Sequence, residues 1–218
     1  TGTNLNQDKI IEVALKVIEI NKITGSDLKV IDAYQSLQDP GIPIPEGATA
    51  INGITNEDVK EKNINWNKVD ELISISQLVI AHNANFDRPF VDRESNASKT
   101  NKIWACSIND IDWMERGFKN VKQELLCIWH GFYYESHRAM LDVDALIHLL
   151  TNNMYDDNKP LIELIQNARK SLCVSYAYNA PIQNKDILKS NQYHWNPYKT
   201  VWHKTIERSE LEQEREWL

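Results

Sequence analysis

Apolar and polar positions fall into short blocks whose periods change along the chain. Residues 9–20 are rich in Ile and Val and partly alternate, which predicts a strand. Thr24-Gly25-Ser26-Asp27 reads as a turn and residues 28–37 as the returning strand, so the two form a hairpin. Pro40, Pro43 and Pro45 each lack a backbone donor and fix φ, which makes residues 40–45 an extended loop. Asn56 is the expected cap of a helix start, with Glu57 and Asp58 in its first turn. Trp66, Val69, Leu72 and Ile73 have helical spacing over residues 66–76. Leu78-Val79-Ile80-Ala81 is wholly apolar and bounded by polar residues, the pattern of a buried central strand. A polar turn at 82–85 then leads into a helix from about Phe86.

Residues 103–107 predict another strand, and residues 121–129 a helix stopped at Gly131. Residues 137–150 predict a strong amphipathic helix with Ala139, Leu141, Ala145, Leu146, Leu149 and Leu150 as its apolar positions. Helical character resumes over 161–169. The composition shifts near Ser171. A strand over 173–178, a short helix over 181–190, two aromatic strands (193–195 and 201–203) joined by the turn 196–199, and a charged helix over 207–218 follow. Strands interleaved with helices predict an α/β core. The expected division is a domain over residues 1–170 and a small α+β module over 171–218.

The 218 residues suffice for one such core and an appendage. Hydrophobic residues make up 42% and charged residues 25%, with no apolar run long enough to span a membrane and no leader-like start, so a cytoplasmic location is expected. Cys106, Cys127 and Cys173 are scattered and odd in number, which argues against a disulfide framework or zinc site; small buried residues are the simpler reading. A net charge of −7 argues against a tight, non-specific coater of nucleic acid. It leaves room for a transient contact at a site whose field bound cations reverse.

Two constellations carry candidate chemistry. In Leu78–Asp87, a carboxylate lies just beyond a strand end, where open α/β sheets bind ligands. Taken alone, Asp87 is better read as an acid that caps or begins a helix. In His137-Arg138-Ala139-Met140-Leu141-Asp142, Asp142 is flanked by apolar neighbours on a helix. A carboxylate facing that side needs a partner or a metal, and His137 is near enough to reach the same site.

The segment His82-Asn83-Ala84-Asn85-Phe86-Asp87 resembles the second motif of the DnaQ-like exonucleases, and His137-Arg138-Ala139 through Asp142 resembles their third, in the histidine-bearing form that names the DEDDh subgroup. Asn52-Gly53-Ile54-Thr55 resembles the family's HGIT loop, with Asn52 where histidine is usual. Trp104-Ala105-Cys106-Ser107 through Trp113 is similar to the bacterial branch, which includes the epsilon proofreading subunit of DNA polymerase III. The likeness covers about residues 1–170, and the two motifs in this order are fairly specific. Residues 180–202 also resemble a short module found on some bacterial members.

The resemblance implies a ribonuclease H-like mixed β-sheet flanked by helices, plus the small module. It implies two-metal hydrolysis of phosphodiesters with Mg2+ or Mn2+, two ions per site. Asp87 and Asp142 would be metal carboxylates, and His137 the general base, for which an ordinary imidazole pKa near ~6.5 is suited. Ile54, Thr55, Asn83 and Phe86 would line the substrate. The expected partners are DNA 3′ ends, single-stranded or frayed, and a polymerase or repair complex. The family's first motif, DxETTG, supplies two further carboxylates. Thr1-Gly2 looks like its end, so those acids are expected just upstream, with activity belonging to the intact protein. Glu12 is no convincing substitute. The competing readings are a degenerate binding domain that contacts nucleic acid or protein through the hairpin of Trp195 and Trp202, and an RNA-trimming exonuclease. For those tryptophans a small core is the simpler role.

Overall fold

In the computed structural model, which describes residues 1–100, 102–156 and 158–218, the chain forms two compact units, Thr1–Ala168 and Arg169–Leu218. The first begins with the expected hairpin. Strands β1 (Glu12–Glu19) and β2 (Lys29–Leu37) pair antiparallel from Glu12↔Leu37 to Glu19↔Lys29, with a bulge between Val17 and Ile18. At the turn, the Asn21 side chain accepts the N–H groups of Ile23 and Thr24, and Gly25 supplies a φ of +65°. The strand starts later than expected because Ile11 packs with Ile44, Ile54 and Val59 in a small core of its own.

Helix α1 (Glu46–Asn52) follows the proline-rich loop and had no counterpart among the expected elements. It buries none of its residues, so it has no apolar stripe for a periodicity argument to find. It ends at Gly53, whose φ of +71° suits glycine, and the short helix α2 (Asn56–Val59) comes next. The cap of α2 is Thr55 rather than Asn56. Thr55 and Asp58 form a reciprocal capping box, while the Asn56 side chain accepts the N–H of Ile44. Helix α3 (Trp66–Ile75) is capped by Asn65 and buries Val69, Leu72 and Ile73, as its spacing predicts.

Strand β3 (Leu78–Ala81), helix α4 (Ala84–Glu94), the short helix α5 (Asn96–Lys99) and strand β4 (Ile103–Cys106) come next, with β3 and β4 parallel. The antiparallel and parallel pairings expected together in one mixed sheet fall, among the described residues, in two separate two-stranded sheets, β1-β2 and β3-β4. Having one hydrogen-bonded neighbour, β3 is half-buried throughout and not the fully buried strand its apolar run suggested. Helices α6 (Gln123–Trp129), α7 (Ala139–Leu150) and α8 (Pro160–Ala168) complete the unit. Its main core joins Ala105, Trp113, Leu126, Leu146, Leu149 and Leu164. Leu141 is exposed, so the apolar face of α7 lies on its later turns.

In the second unit, β5 (Leu172–Ala177), α9 (Lys185–Ser190), β6 (His194–Asn196), β7 (Val201–Glu207) and α10 (Leu211–Trp217) form a three-stranded antiparallel sheet of order β5-β7-β6 with helices. Strand β7 runs four residues beyond its expected end because it pairs with β5 as far as Glu207↔Leu172, and α10 starts correspondingly late. Tyr193 is buried, and its hydroxyl bonds to Ser175 and Glu214, which itself pairs with Lys204. Trp202 packs on the core of Ala177, Leu188 and Tyr193, whereas Trp195, edge-on to it at 5.6 Å between ring centroids, is exposed. All three cysteines are free.

Candidate active site

Two helix starts define the site. Asn83 precedes α4, and its carbonyl accepts the N–H groups of Phe86 and Asp87, which puts Asp87 in the first helical turn. The turn is held by His82. Its Nε2–H donates to the Val121 carbonyl at 2.7 Å, and its Nδ1 then accepts the Ser107 hydroxyl at 3.3 Å. Burial keeps the His82 pKa below the ordinary histidine value, so the ring is the neutral donor–acceptor those partners require. Arg138 precedes α7, and Asp142 lies in that helix's first turn.

Electrostatics couples the two acids. Burial, and then the charge of Asp142, push the Asp87 carboxyl up to about 6. Asp142 is itself raised by burial, against hydrogen bonds from the Tyr134 hydroxyl and the His137 N–H. The same carboxylate is felt at Cys127, whose thiol burial first and Asp142 second push up to about 12. His137 adjoins this pair. Its N–H lies 3.4 Å from an Asp142 oxygen, and its φ of +69° is one that residues with a Cβ rarely adopt. Its Nε2 lies 3.2 Å from Glu124, which also accepts the Ser136 hydroxyl at 2.7 Å.

The other expected residues are placed differently from one another. Asn83 and Phe86 are exposed; the Asn83 side chain makes no cap bond, and Phe86 lies against Phe90 at 5.3 Å. The Ile54 side chain is 2% exposed and belongs to the core, while the Thr55 hydroxyl is engaged with Asp58. Asn52, where histidine was expected, accepts the Ile54 N–H at 2.9 Å and so shapes this loop. Between the loop and Arg138 lies a cavity of about 420 Å³, lined also by Leu37, Asp58 and Lys62.

Three residues gain roles that pattern reading did not give them. Tyr134 lowers the Asp142 pKa, Glu124 pairs with His137, and Glu12 joins β1 to the start of α7. None carries a periodic signal. The only hint was the closeness of Tyr134 to the third motif.

The sequence profile of the RNase T family, described as exonuclease, matches residues 1–150. The chain belongs to this exonuclease family. The chain is 26% identical over 163 residues to the PolC-type DNA polymerase III of Bacillus cereus, covering 72% of this chain and 11% of that protein. It is 30% identical over 143 residues to the PolC-type enzyme of Lacticaseibacillus paracasei, covering 62% and 10%. The chain thus spans about a tenth of the length of these curated relatives. Among solved structures it is similar to Exonuclease X in complex with 5′ overhanging duplex DNA, at 21% identity and a TM-score of 0.52, covering 72% of this chain and 90% of that one. That likeness shows the ribonuclease H-like fold. Exonucleases of this type generally depend on a divalent metal. No helix among the described residues is long and apolar enough to cross a membrane.

Proposed function

We propose that this exonuclease hydrolyses DNA from 3′ ends, single-stranded or frayed, and releases nucleoside 5′-monophosphates in proofreading or repair. The observation that carries the reading is the convergence of Asp87, Asp142 and His137 at the starts of α4 and α7, with the charge of Asp142 acting on Asp87. Two semi-buried carboxylates with disfavoured charged forms make a site that gains from a hard cation. Asp87 and Asp142 supply the donor type that Mg2+ or Mn2+ takes, and they fill only part of such a shell. Among the described residues no three His, Cys, Asp or Glu side chains gather around one point, so a two-ion clamp is not completed by them. When bound, a divalent cation would polarise the scissile phosphate and acidify water.

The chain's own residues supply the rest. His137, its Nε2 lying 3.2 Å from Glu124, would take the proton of the attacking water through its imidazole. Tyr134 and the His137 N–H fix the orientation of Asp142. Asn83 and Phe86, exposed beside Asp87, would meet the terminal nucleotide. Ile54 would contribute through the backbone shape of its loop and Thr55 through the same turn. DNA as the substrate, and work beside a polymerase, draw on the kinship with polymerase relatives.

The test is metal-dependent degradation of a 3′-labelled DNA strand by the full-length protein beside Asp142→Ala. Loss on the order of 10²–10⁴-fold in the variant is expected; equal activity in both removes the assignment. Preferential trimming of an RNA strand would move the reading to RNA.

A further inference from the structure

The second unit differs from the first in charge. Residues 169–218 carry eight Lys or Arg against six acids, five of them at or beyond Glu207, in a chain whose overall net charge is −7. An acidic domain that must approach a polyanion gains from an attached basic segment.

The sheet of this unit has two unlike faces. Alternation places Ser175, Ala177, Trp202, Lys204 and Ile206 on one side, which carries the small core. Leu172, Val174, Tyr176, His194, Asn196, Val201, His203, Thr205 and Glu207 occupy the other, with Val201 buried at its edge. On that side Tyr176, His203 and His194 form a row across the three strands, with ring centroids 6.4 and 6.5 Å apart, and Tyr178 lies 5.7 Å from Tyr176. Val174 and Tyr178 are exposed, at 46% and 72%. Lys199 reaches over the Tyr176 ring, with its ammonium 5.6 Å from the centroid. The strands carry a single carboxylate, Glu207, and Lys170 neutralises it at 2.6 Å.

We propose that this face, built on Tyr176, His203 and His194 and edged by Lys199, binds single-stranded DNA and holds the strand whose 3′ end the exonuclease domain works on. A row of flat rings across a sheet stacks unpaired bases without regard to sequence, because every base has a π face. Base pairs in a duplex are already stacked and offer it nothing. Charge complementarity favours a polyanion over a protein partner, since Lys199 edges the row and the one carboxylate of this face, Glu207, is paired with Lys170. The choice of DNA rests on the proposed function; the surface itself does not, and it is tested separately.

The probe is a short 5′-labelled oligodeoxythymidylate, titrated with the full chain in EDTA so that no cleavage interferes, and read by fluorescence anisotropy. The double variant Tyr176→Val/His203→Thr, both β-compatible, is expected to weaken binding about tenfold or more. Lys199→Gln should flatten the salt dependence by about one counterion. Asp142→Ala should bind as the parent does, which separates this surface from the nuclease reading, and the double variant should cleave a p-nitrophenyl ester of thymidine 5′-monophosphate at the parent rate. Circular dichroism establishes that each variant is folded. Absence of binding by the parent, unchanged binding by the folded double variant, or equal affinity for blunt duplex would each overturn the proposal, and tighter binding of oligouridylate would overturn its assignment to DNA.

Discussion

Glu12 and Arg138, 126 residues apart, are joined by hydrogen bonds of 3.1 and 3.4 Å, and the same carboxylate accepts the N–H of Ala139 at 2.9 Å. The Glu12 side chain is 7% exposed and that of Arg138 is 42% exposed. The pair therefore fastens the hairpin to the start of the helix that carries Asp142, and it satisfies an N–H that the helix leaves free. Glu12→Ala should destabilise the fold by about 1–3 kcal/mol, since it removes charge-assisted bonds from a shielded position. Urea unfolding checks this; a midpoint unchanged from the parent would show that the fastening contributes nothing.

Asp87 should oppose stability while it serves the site. Its folded pKa of about 6 lies above the ordinary 3.8, so the folded state holds the proton more tightly than the unfolded one. The stabilising contribution is fully present below about 3.8 and is lost as pH rises to about 6. In EDTA at pH 8, Asp87→Asn should then raise stability, by about 1–3 kcal/mol at most; with the divalent metal supplied, the same variant should lose nuclease activity. Thermal melts at pH 5 and pH 8 read the difference, and a variant less stable than the parent at both would contradict it.

His82 should act in the opposite direction. Its folded pKa is depressed, so its contribution is present above the ordinary value of 6.5 and declines as pH falls below it towards the folded value. His82→Gln should lose that part of the acid sensitivity. Equal slopes of stability against pH between 7 and 5 in parent and variant would count against a neutral, buried His82.

His137 carries a φ of +69° and should separate activity from stability. Glycine accepts that conformation freely, which offsets its greater freedom in the unfolded chain. His137→Gly should stay within about 1 kcal/mol of the parent in stability while activity falls about 10²–10⁴-fold. A variant that keeps its turnover would remove His137 from the chemistry.

Ile54 and Thr55 are neighbours that should fail in different ways. Ile54→Ala should cost about 2–4 kcal/mol, as expected of a core position, and Thr55→Ala about 1 kcal/mol through loss of the cap. A raised KM with unchanged stability for Ile54→Ala would instead place its side chain against the substrate.

Much of this protein is legible from residue order. The hairpin, α3, the strand before Asp87, and the helix bearing Asp142 all follow from period and punctuation, because short-range sterics and one-sided burial act within a few residues. The second and third motifs could be recognised for the same reason. They are contiguous. Helix α1 was not legible, since an element that buries nothing leaves no apolar record, and the cap of α2 was misplaced by one residue because Asn56 and Thr55 are both good capping residues.

Tertiary structure alone decided which acids share a field. That Asp142 acts on Asp87, that Tyr134 lowers the pKa of Asp142, and that Glu12 meets Arg138 are relations between residues far apart in the chain or in an irregular loop, with no period to announce them. The burial of Ile54 and the open face of Tyr176, His203 and His194 belong to the same class. Sequence determines the local elements and the residue types they carry. The fold determines their neighbours, because burial and Coulomb energies depend on distance in space.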